Sequence, residues 1–356
     1  MNMEIGSTAQ VRELNQEVIM ATLRNRESAS IADLAKLVDL SVATCVKIVG
    51  GLVESGEIEE VGERDSRGGR PARHYRFNPG HSLIAALILR VTEKAEYIDY
   101  FIADANGTLL HSGRTAPAPL DIDAIDSLLE SLKKDYPSLK AVSVSIPGTV
   151  TEGVIGPADA PALVGVHIED HIRKRHNLGT SVENDMNFAA LGYYRCNLSS
   201  DGLDFAYLLF PRGGPAGGGL VINDKLVRGK SGFAGELSYL TPTAQRGHSK
   251  RILSMSRVDR EYVEYVARMV TAVTVLINPA VIVLSGDNLE EDAHSAILSA
   301  CVKDIPAEHL PEIIIKQDYN DDCLTGMIVQ ALSSLTRYPH LLQFSPVSLV
   351  QYRTAE

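Results

Sequence analysis

No stretch of about 20 uninterrupted apolar residues occurs in this chain of 356 residues, so nothing in it reads as a membrane-spanning helix. The best candidate, Met269 to Leu284, is interrupted by Thr271, Thr274, Asn278 and Pro279, and predicts a helix, a break and a strand. A secretory signal is not expected, because the first ten residues, MNMEIGSTAQ, hold no basic patch followed by an apolar run. Cysteine is scarce. Cys45, Cys196, Cys301 and Cys323 lie far apart with no CxxC spacing, which excludes a small disulfide-stapled scaffold and reads as scattered small hydrophobes in a reducing compartment. The expected location is the cytoplasm. Basic excess is missing too: a net charge of −11 argues against a protein that coats nucleic acid indiscriminately. What remains is an ordinary globular composition, 45% hydrophobic and 22% charged, long enough for about two domains at ~150 residues each.

The charge is unevenly spread. Residues 1–80 hold 10 basic and 12 acidic side chains, a net of −2, and the other 276 residues carry −9. Within Gly62–Phe77, however, Arg64, Arg67, Arg70, Arg73 and Arg76 stand against only Glu63 and Asp65. A short basic segment in an acidic chain points to one placed contact with an anion.

Around that segment the periodicity is helical. Val11, Leu14, Val18 and Ala21 recur at three- and four-residue spacing, and Ile31, Leu34, Ala35 and Val38 share a face of a second, shorter helix. After the turn Asp39-Leu40-Ser41, Ser41 is placed to N-cap a third helix, which buries Cys45, Ile48, Val49 and Leu52. Its opposite face carries Val42, Ala43, Val46 and Lys47. Gly50-Gly51 costs this helix up to ~2 kcal/mol by propensity, and Gly56 stops it. A strand Ile58–Val61, a turn through Ser66-Arg67-Gly68-Gly69 and a return strand His74–Phe77 complete a hairpin. A short helix, a tight turn, a second helix and an arginine-tipped hairpin predict a winged helix-turn-helix over residues 1–78. Bases would be read by Ser41, Val42, Ala43, Thr44, Val46 and Lys47, partly through thymine methyl groups, and the wing by Arg64, Arg67 and Arg70. The plainer alternative is a packing or protein-interaction module of three small helices.

After Asn78-Pro79-Gly80 the pattern changes to strands that end in Gly or Asp turns and alternate with helices. Strands are expected over Leu83–Leu89, Glu96–Asp104, Thr108–His111, Ala141–Ile146, Ser181–Glu183, Phe205–Phe210, Gly219–Ile222 and Val281–Leu284, with helices over Ile122–Tyr136 and about Arg257–Leu276. That is an α/β fold, with a ligand cleft at the strand ends. Asn184-Asp185 follows a buried strand and reads either as an Asx turn or helix cap, or as a pair that meets ligand hydroxyls.

The wing ending in GGRP (Gly68–Pro71), then IPG (Ile146–Gly148), VENDMN (Val182–Asn187) and AGEL (Ala234–Leu237), appear in an order that resembles the ROK family of sugar kinases and sugar-responsive repressors, in its repressor branch. The resemblance covers roughly residues 11–330. It implies that residues 81–356 form the two-lobed sugar kinase/actin-like (ribonuclease H-like) fold, an effector and oligomerisation domain with sugar bound between the lobes. It implies ligand contacts from Asn184, Asp185 and Glu236, Asp185 taking the place of the kinases' general base. The family's first phosphate turn reads Thr92-Glu93-Lys94-Ala95-Glu96 here, without its acidic residue and glycines, and the second reads Gly213-Gly214-Pro215-Ala216-Gly217-Gly218-Gly219, without its Thr. Tyr239 stands where the family has a zinc-ligating histidine, and the next cysteine is Cys301. His248 could replace one sugar contact, or be an ordinary surface side chain.

The expectation is therefore a non-enzymatic repressor of carbohydrate genes, without ATP or zinc. A homodimer or dimer of dimers would bind a palindromic double-stranded operator and respond to a sugar or sugar phosphate near Asn184, Asp185, Glu236 and Tyr239. Two alternatives stay open. One is a ligand-independent DNA-binding regulator whose second domain only oligomerises, and the other a sugar kinase with an appended DNA-binding domain.

Overall fold

The computed structural model describes residues 8–64, 72–92, 95–198, 201–241, 252, 254, 259–287, 289 and 291–347. Arg67 and Arg70 of the expected wing, Glu93 and Lys94 of the first turn, and His248 lie outside the described residues. Among those that are described, no helix is long and apolar enough to cross a membrane.

The N-terminal unit runs α1 (Thr8–Arg24), β1 (Ala29–Ser30), α2 (Ile31–Leu37), α3 (Val42–Ser55), β2 (Ile58–Arg64) and β3 (Ala72–Phe77). Each boundary has a local cause. Ser30 and Asp33 form a capping box at the start of α2, and the Ser41 hydroxyl accepts from the Thr44 N–H at 3.1 Å to open α3. Gly56, at φ +81°, closes α3 in the left-handed conformation. The expected buried face of α3, Cys45, Ile48, Val49 and Leu52, is the one observed. In α1 the most buried residues are instead Ile19, Met20 and Leu23, and Val11 is exposed. The hairpin strands are longer than the sequence suggested, and β1 adds a third strand in the order β1-β3-β2. Arg73 and Arg76 do not project free from this hairpin: they pair across it with Glu60 at 3.4 Å and Glu59 at 2.8 Å.

The remainder is built in five layers. The first sheet has the order β10-β7-β4-β5-β6, from β4 (Leu83–Val91), β5 (Glu96–Ala103), β6 (Leu109–Thr115), β7 (Leu139–Ile146) and β10 (Gly179–Asn184). A small hairpin, β8 (Gly148–Thr151) and β9 (Val154–Ala158), precedes β10. The second sheet has the order β13-β12-β11-β14-β15, from β11 (Phe205–Leu209), β12 (Gly217–Ile222), β13 (Lys225–Leu226), β14 (Val281–Ser285) and β15 (Glu312–Lys316). Alternation along each strand splits the core. In β4, Ala85, Leu87 and Leu89 face an outer cluster with α4 (Ile122–Asp135) and α5 (Ile168–His176), while Ile84, Ala86 and Ile88 face inward. In β11, Ala206 and Leu208 face α7 (Arg260–Ile277) and α8 (Glu291–Cys301), while Phe205 and Tyr207 face inward.

Two helices fill the space between the sheets: α6 (Asp185–Asn197) and α9 (Asn320–Ser333). They cross with backbones nearly touching. A Cβ on Gly192 would lie 2.0 Å from the Asp322 carbonyl oxygen, and one on Gly326 would lie 1.9 Å from that of Phe188. Only glycine at both positions permits this approach.

Candidate functional site

The two ends of the chain present different surfaces. On α3, Val42 and Val46 are 55% and 51% exposed, and Ser41, Ala43 and Lys47 are exposed beside them. Thr44 is half-buried, its hydroxyl 2.8 Å from that of Ser41, so it completes the cap rather than standing free. Arg64 ends β2 opposite Ala72, which places it at the base of the hairpin tip.

In the five-layered part, the expected ligand position lies where parallel strands stop. β7 and β10 run in register to Ile146 and Asn184, so Pro147-Gly148 and Asn184-Asp185 leave neighbouring strands side by side. Asn184 is the N-cap of α6: its Oδ1 accepts from the Met186 N–H at 2.8 Å, and its Nδ2 donates to the Gly148 carbonyl at 3.0 Å. Asn184 thus caps α6 and also ties the two strand ends together.

Asp185 is the first helical residue, where a carboxylate suits the positive end of a helix. One oxygen accepts from the Met186 N–H at 2.9 Å and the other from the Tyr319 hydroxyl at 3.1 Å. Burial nevertheless pushes its carboxyl above the usual carboxylate range, against the pull of nearby Arg90. Glu236 is also pushed up, by its own burial and then by the Asp185 charge.

Glycines at the start of β12 let the segments that carry Asp185 and Glu236 pack against one strand. A Cβ on Gly219 would lie 2.4 Å from the Met186 carbonyl oxygen, so β12 presses directly on the first turn of α6. Gly235, at φ +92°, would place a Cβ 1.9 Å from the Gly218 carbonyl oxygen, so the residue before Glu236 rests on the same strand. Tyr239 lies further out, 52% exposed, its ring edge-on to that of Phe233 with centroids 4.7 Å apart.

Several residues at the site escaped the sequence reading. Arg90, at the end of apolar β4, donates to the Tyr319 hydroxyl at 3.3 Å and to Asn320 Oδ1 at 2.7 Å. Its Nε lies 3.9 Å from Asp99, which Arg114 contacts at 2.6 Å. A lone cation closing a run such as Leu83–Leu89 is the signal that could have marked it. Glu183, buried beside Asn184, takes an ion pair from Arg228 at 2.5 Å and a hydrogen bond from Asn187 at 2.9 Å. Arg228 follows β13, so this pair bridges the two sheets.

Residues 95–251 match the ROK family. Over 248 residues the chain is 23% identical to the xylose repressor of Caldicellulosiruptor bescii, a stretch covering 67% of this chain and 61% of that protein. It thus spans about three fifths of the curated relatives it matches. Among solved structures it is similar to a ROK family transcriptional regulator described as a homologue of the E. coli MLC protein, with a TM-score of 0.67 at 18% identity over 93% of this chain and 98% of that one. It is also similar to the ROK hexokinase of Thermus thermophilus, with a TM-score of 0.54 at 17% identity over 71% of this chain and 99% of that one. At these identities the likeness is one of fold, and it makes the five-layered part a ROK sugar-kinase-like α/β fold.

Proposed function

We propose that this chain, which carries a ROK family domain, is a sequence-specific DNA-binding repressor of carbohydrate genes, controlled by a sugar or sugar phosphate bound in a non-catalytic cleft. Residues 1–78 act as a winged helix-turn-helix, and residues 81–356 as the effector and oligomerisation domain. The observation that carries the reading is the exposed, N-capped face of α3, Ser41 to Lys47, next to a hairpin whose strand arginines are already paired with glutamates. Arg64, Arg67 and Arg70 are the wing residues this reading assigns to phosphates or the minor groove. A homodimer would set two such helices on a palindromic operator.

The effector lies between Asp185 and Glu236, with Tyr239 at the rim. Asn184 serves it indirectly, by capping α6 and fixing the turn that presents Asp185. Nucleotide chemistry is disfavoured in two places. Gly218 and Gly219 are consumed by packing against the second sheet and α6, and Arg90 sits at the end of β4, where an approach of backbone to phosphate needs small residues. A sugar kinase is the second reading: a carboxyl held above its usual range at Asp185 suits a general base.

Footprinting of the purified chain on DNA around its own gene, with a panel of sugars and sugar phosphates and no ATP, tests the proposal. A palindromic footprint that one ligand weakens is expected. Arg67→Ala and Arg70→Ala should reduce affinity and flatten its salt dependence. Absence of any footprint at low salt would refute the DNA-binding reading, and a footprint indifferent to every ligand would leave a regulator without an effector. Sugar-dependent ATP turnover abolished by Asp185→Asn would instead establish the kinase.

A further inference from the structure

Helix α9 makes polar contacts beyond both of its ends. At its start, Tyr319 donates to Asp185, and Arg90 holds both Tyr319 and Asn320. From there the helix runs 14 residues, about 21 Å, between the two sheets, with Cys323, Leu324, Met327, Ile328, Ala331 and Leu332 buried. Its glycine crossing with α6 leaves no slack for a local bend, so a displacement at one end is carried along the rod.

Past its end, the chain grips α1 of the N-terminal unit. Thr336 donates to Glu17 at 2.8 Å, Arg337 to Glu13 at 2.9 Å, and the Tyr338 hydroxyl to the Gln10 carbonyl at 3.5 Å. Arg24 adds a tie from α1 to the body, donating to the Ala105 carbonyl at 3.1 Å while its guanidinium lies 4.4 Å over the Phe77 ring. This seam is incompletely filled: a cavity of about 100 Å³ lies there, lined by Glu17, Arg24, Leu332, Leu335 and Thr336 among others. Unfilled volume beside a polar grip gives α1 room for a second position.

Resting on the regulatory reading above, we propose that Tyr319 is a positioning residue, orienting Asp185 for the effector at one end of α9 and, through α9, setting the hold of Thr336 and Arg337 on α1 at the other. An effector hydroxyl that donates to Asp185 competes with Tyr319 for the same oxygen. When Tyr319 yields, α9 keeps its Arg90–Asn320 tie and its glycine crossing with α6 but loses its hydrogen bond to Asp185, and the grip on α1 changes. Because the coupling is thermodynamic, release of α1 must loosen the Asp185 end equally.

Hydrogen–deuterium exchange on the full chain tests this without a known effector. In Tyr319→Phe, amides of α1 and of residues 334–342 should exchange about fivefold faster, the factor expected for the loss of one net hydrogen bond. Those of α4 and α5, on the far face of the first sheet, should keep wild-type rates. The reciprocal variant, Arg337→Ala, changes a side chain that is 72% exposed and so leaves the core intact. It should speed exchange at the first turn of α6, and its effect on α1 in the Tyr319→Phe background should be smaller than it is alone. Unchanged α1 rates in Tyr319→Phe, an equal rise that includes α4 and α5, or a first turn of α6 blind to Arg337→Ala, would each overturn the proposal. If the wild type leaves no DNA footprint while α1 responds to Tyr319→Phe, the regulatory reading fails and the coupling stands.

Discussion

Gly50 and Gly51 lie inside α3 with nothing within 4 Å of where a Cβ would sit, whereas Gly192 and Gly326 lie inside α6 and α9 where a Cβ would strike backbone at about 2 Å. The same residue, in the same secondary structure, thus answers two different demands. In the central pair, glycine is required by the protein's own packing: two helices share one narrow layer between two sheets. In α3 nothing among the described residues requires it, and the helix bears a propensity cost without a packing gain from them. The difference separates a region finished by its own fold from one whose surface is left open for something else. The polar groups follow the same division. Around Asp185, Arg90 donates to Tyr319 and Tyr319 to Asp185, while Asn184 is spent on the Met186 N–H and the Gly148 carbonyl; Val42, Val46 and Lys47 of α3 face outward.

The largest expected effect that sharpens this comparison is Gly192→Ala. A methyl group driven against the Asp322 carbonyl should cost about 3 kcal/mol or more, read as a lower urea midpoint, because a close-packed interior cannot yield locally. A variant of wild-type stability would mean that the α6–α9 layer is looser than it stands. Next in size is Gly50→Ala, which should raise stability by up to ~1 kcal/mol. If the open surface meets a DNA backbone closely, the same variant should bind the operator more weakly. Stabilisation with unchanged DNA binding would break the comparison on the side of α3.

The smallest effect is at Glu236. Its carboxyl is pushed up in the folded chain, so the folded state holds its proton more tightly than the unfolded state does. That contribution is fully present below the unfolded value of about 4.3 and is lost as pH rises through the folded one. Glu236→Gln should therefore melt slightly above wild type at neutral pH and converge with it near pH 4, while binding sugar less well. A lower melting temperature at neutral pH would show that the ionised form is stabilised in the cleft after all.

Much of the N-terminal unit was legible because its signals are local. Ser41 caps, Gly56 stops, and Cys45, Ile48, Val49 and Leu52 repeat at helical spacing within one short segment. Strands such as β7 and β14 were equally visible as buried runs bounded by turns. By contrast α6 and α9 were missed. Helices buried on nearly all sides, with glycines at the crossing, show no amphipathic period to detect. The same blindness explains the site. Asp185 and Glu236 could be named, but Arg90 and Tyr319, 229 residues apart in sequence, meet only because β4 and α9 pack in adjacent layers.

By itself, then, the sequence determined the elements whose causes lie within a few residues: caps, turns, alternating strands, and the exposed face of α3. Packing was needed to reveal what the glycines of β12 are for, that Asn184 caps α6, that Arg73 and Arg76 are paired across their hairpin, and that residues flanking one helix touch Asp185 at one end and α1 at the other. These depend on distances between segments remote in the chain, and such distances are set by how sheets and helices close-pack rather than by any local preference of the residues involved.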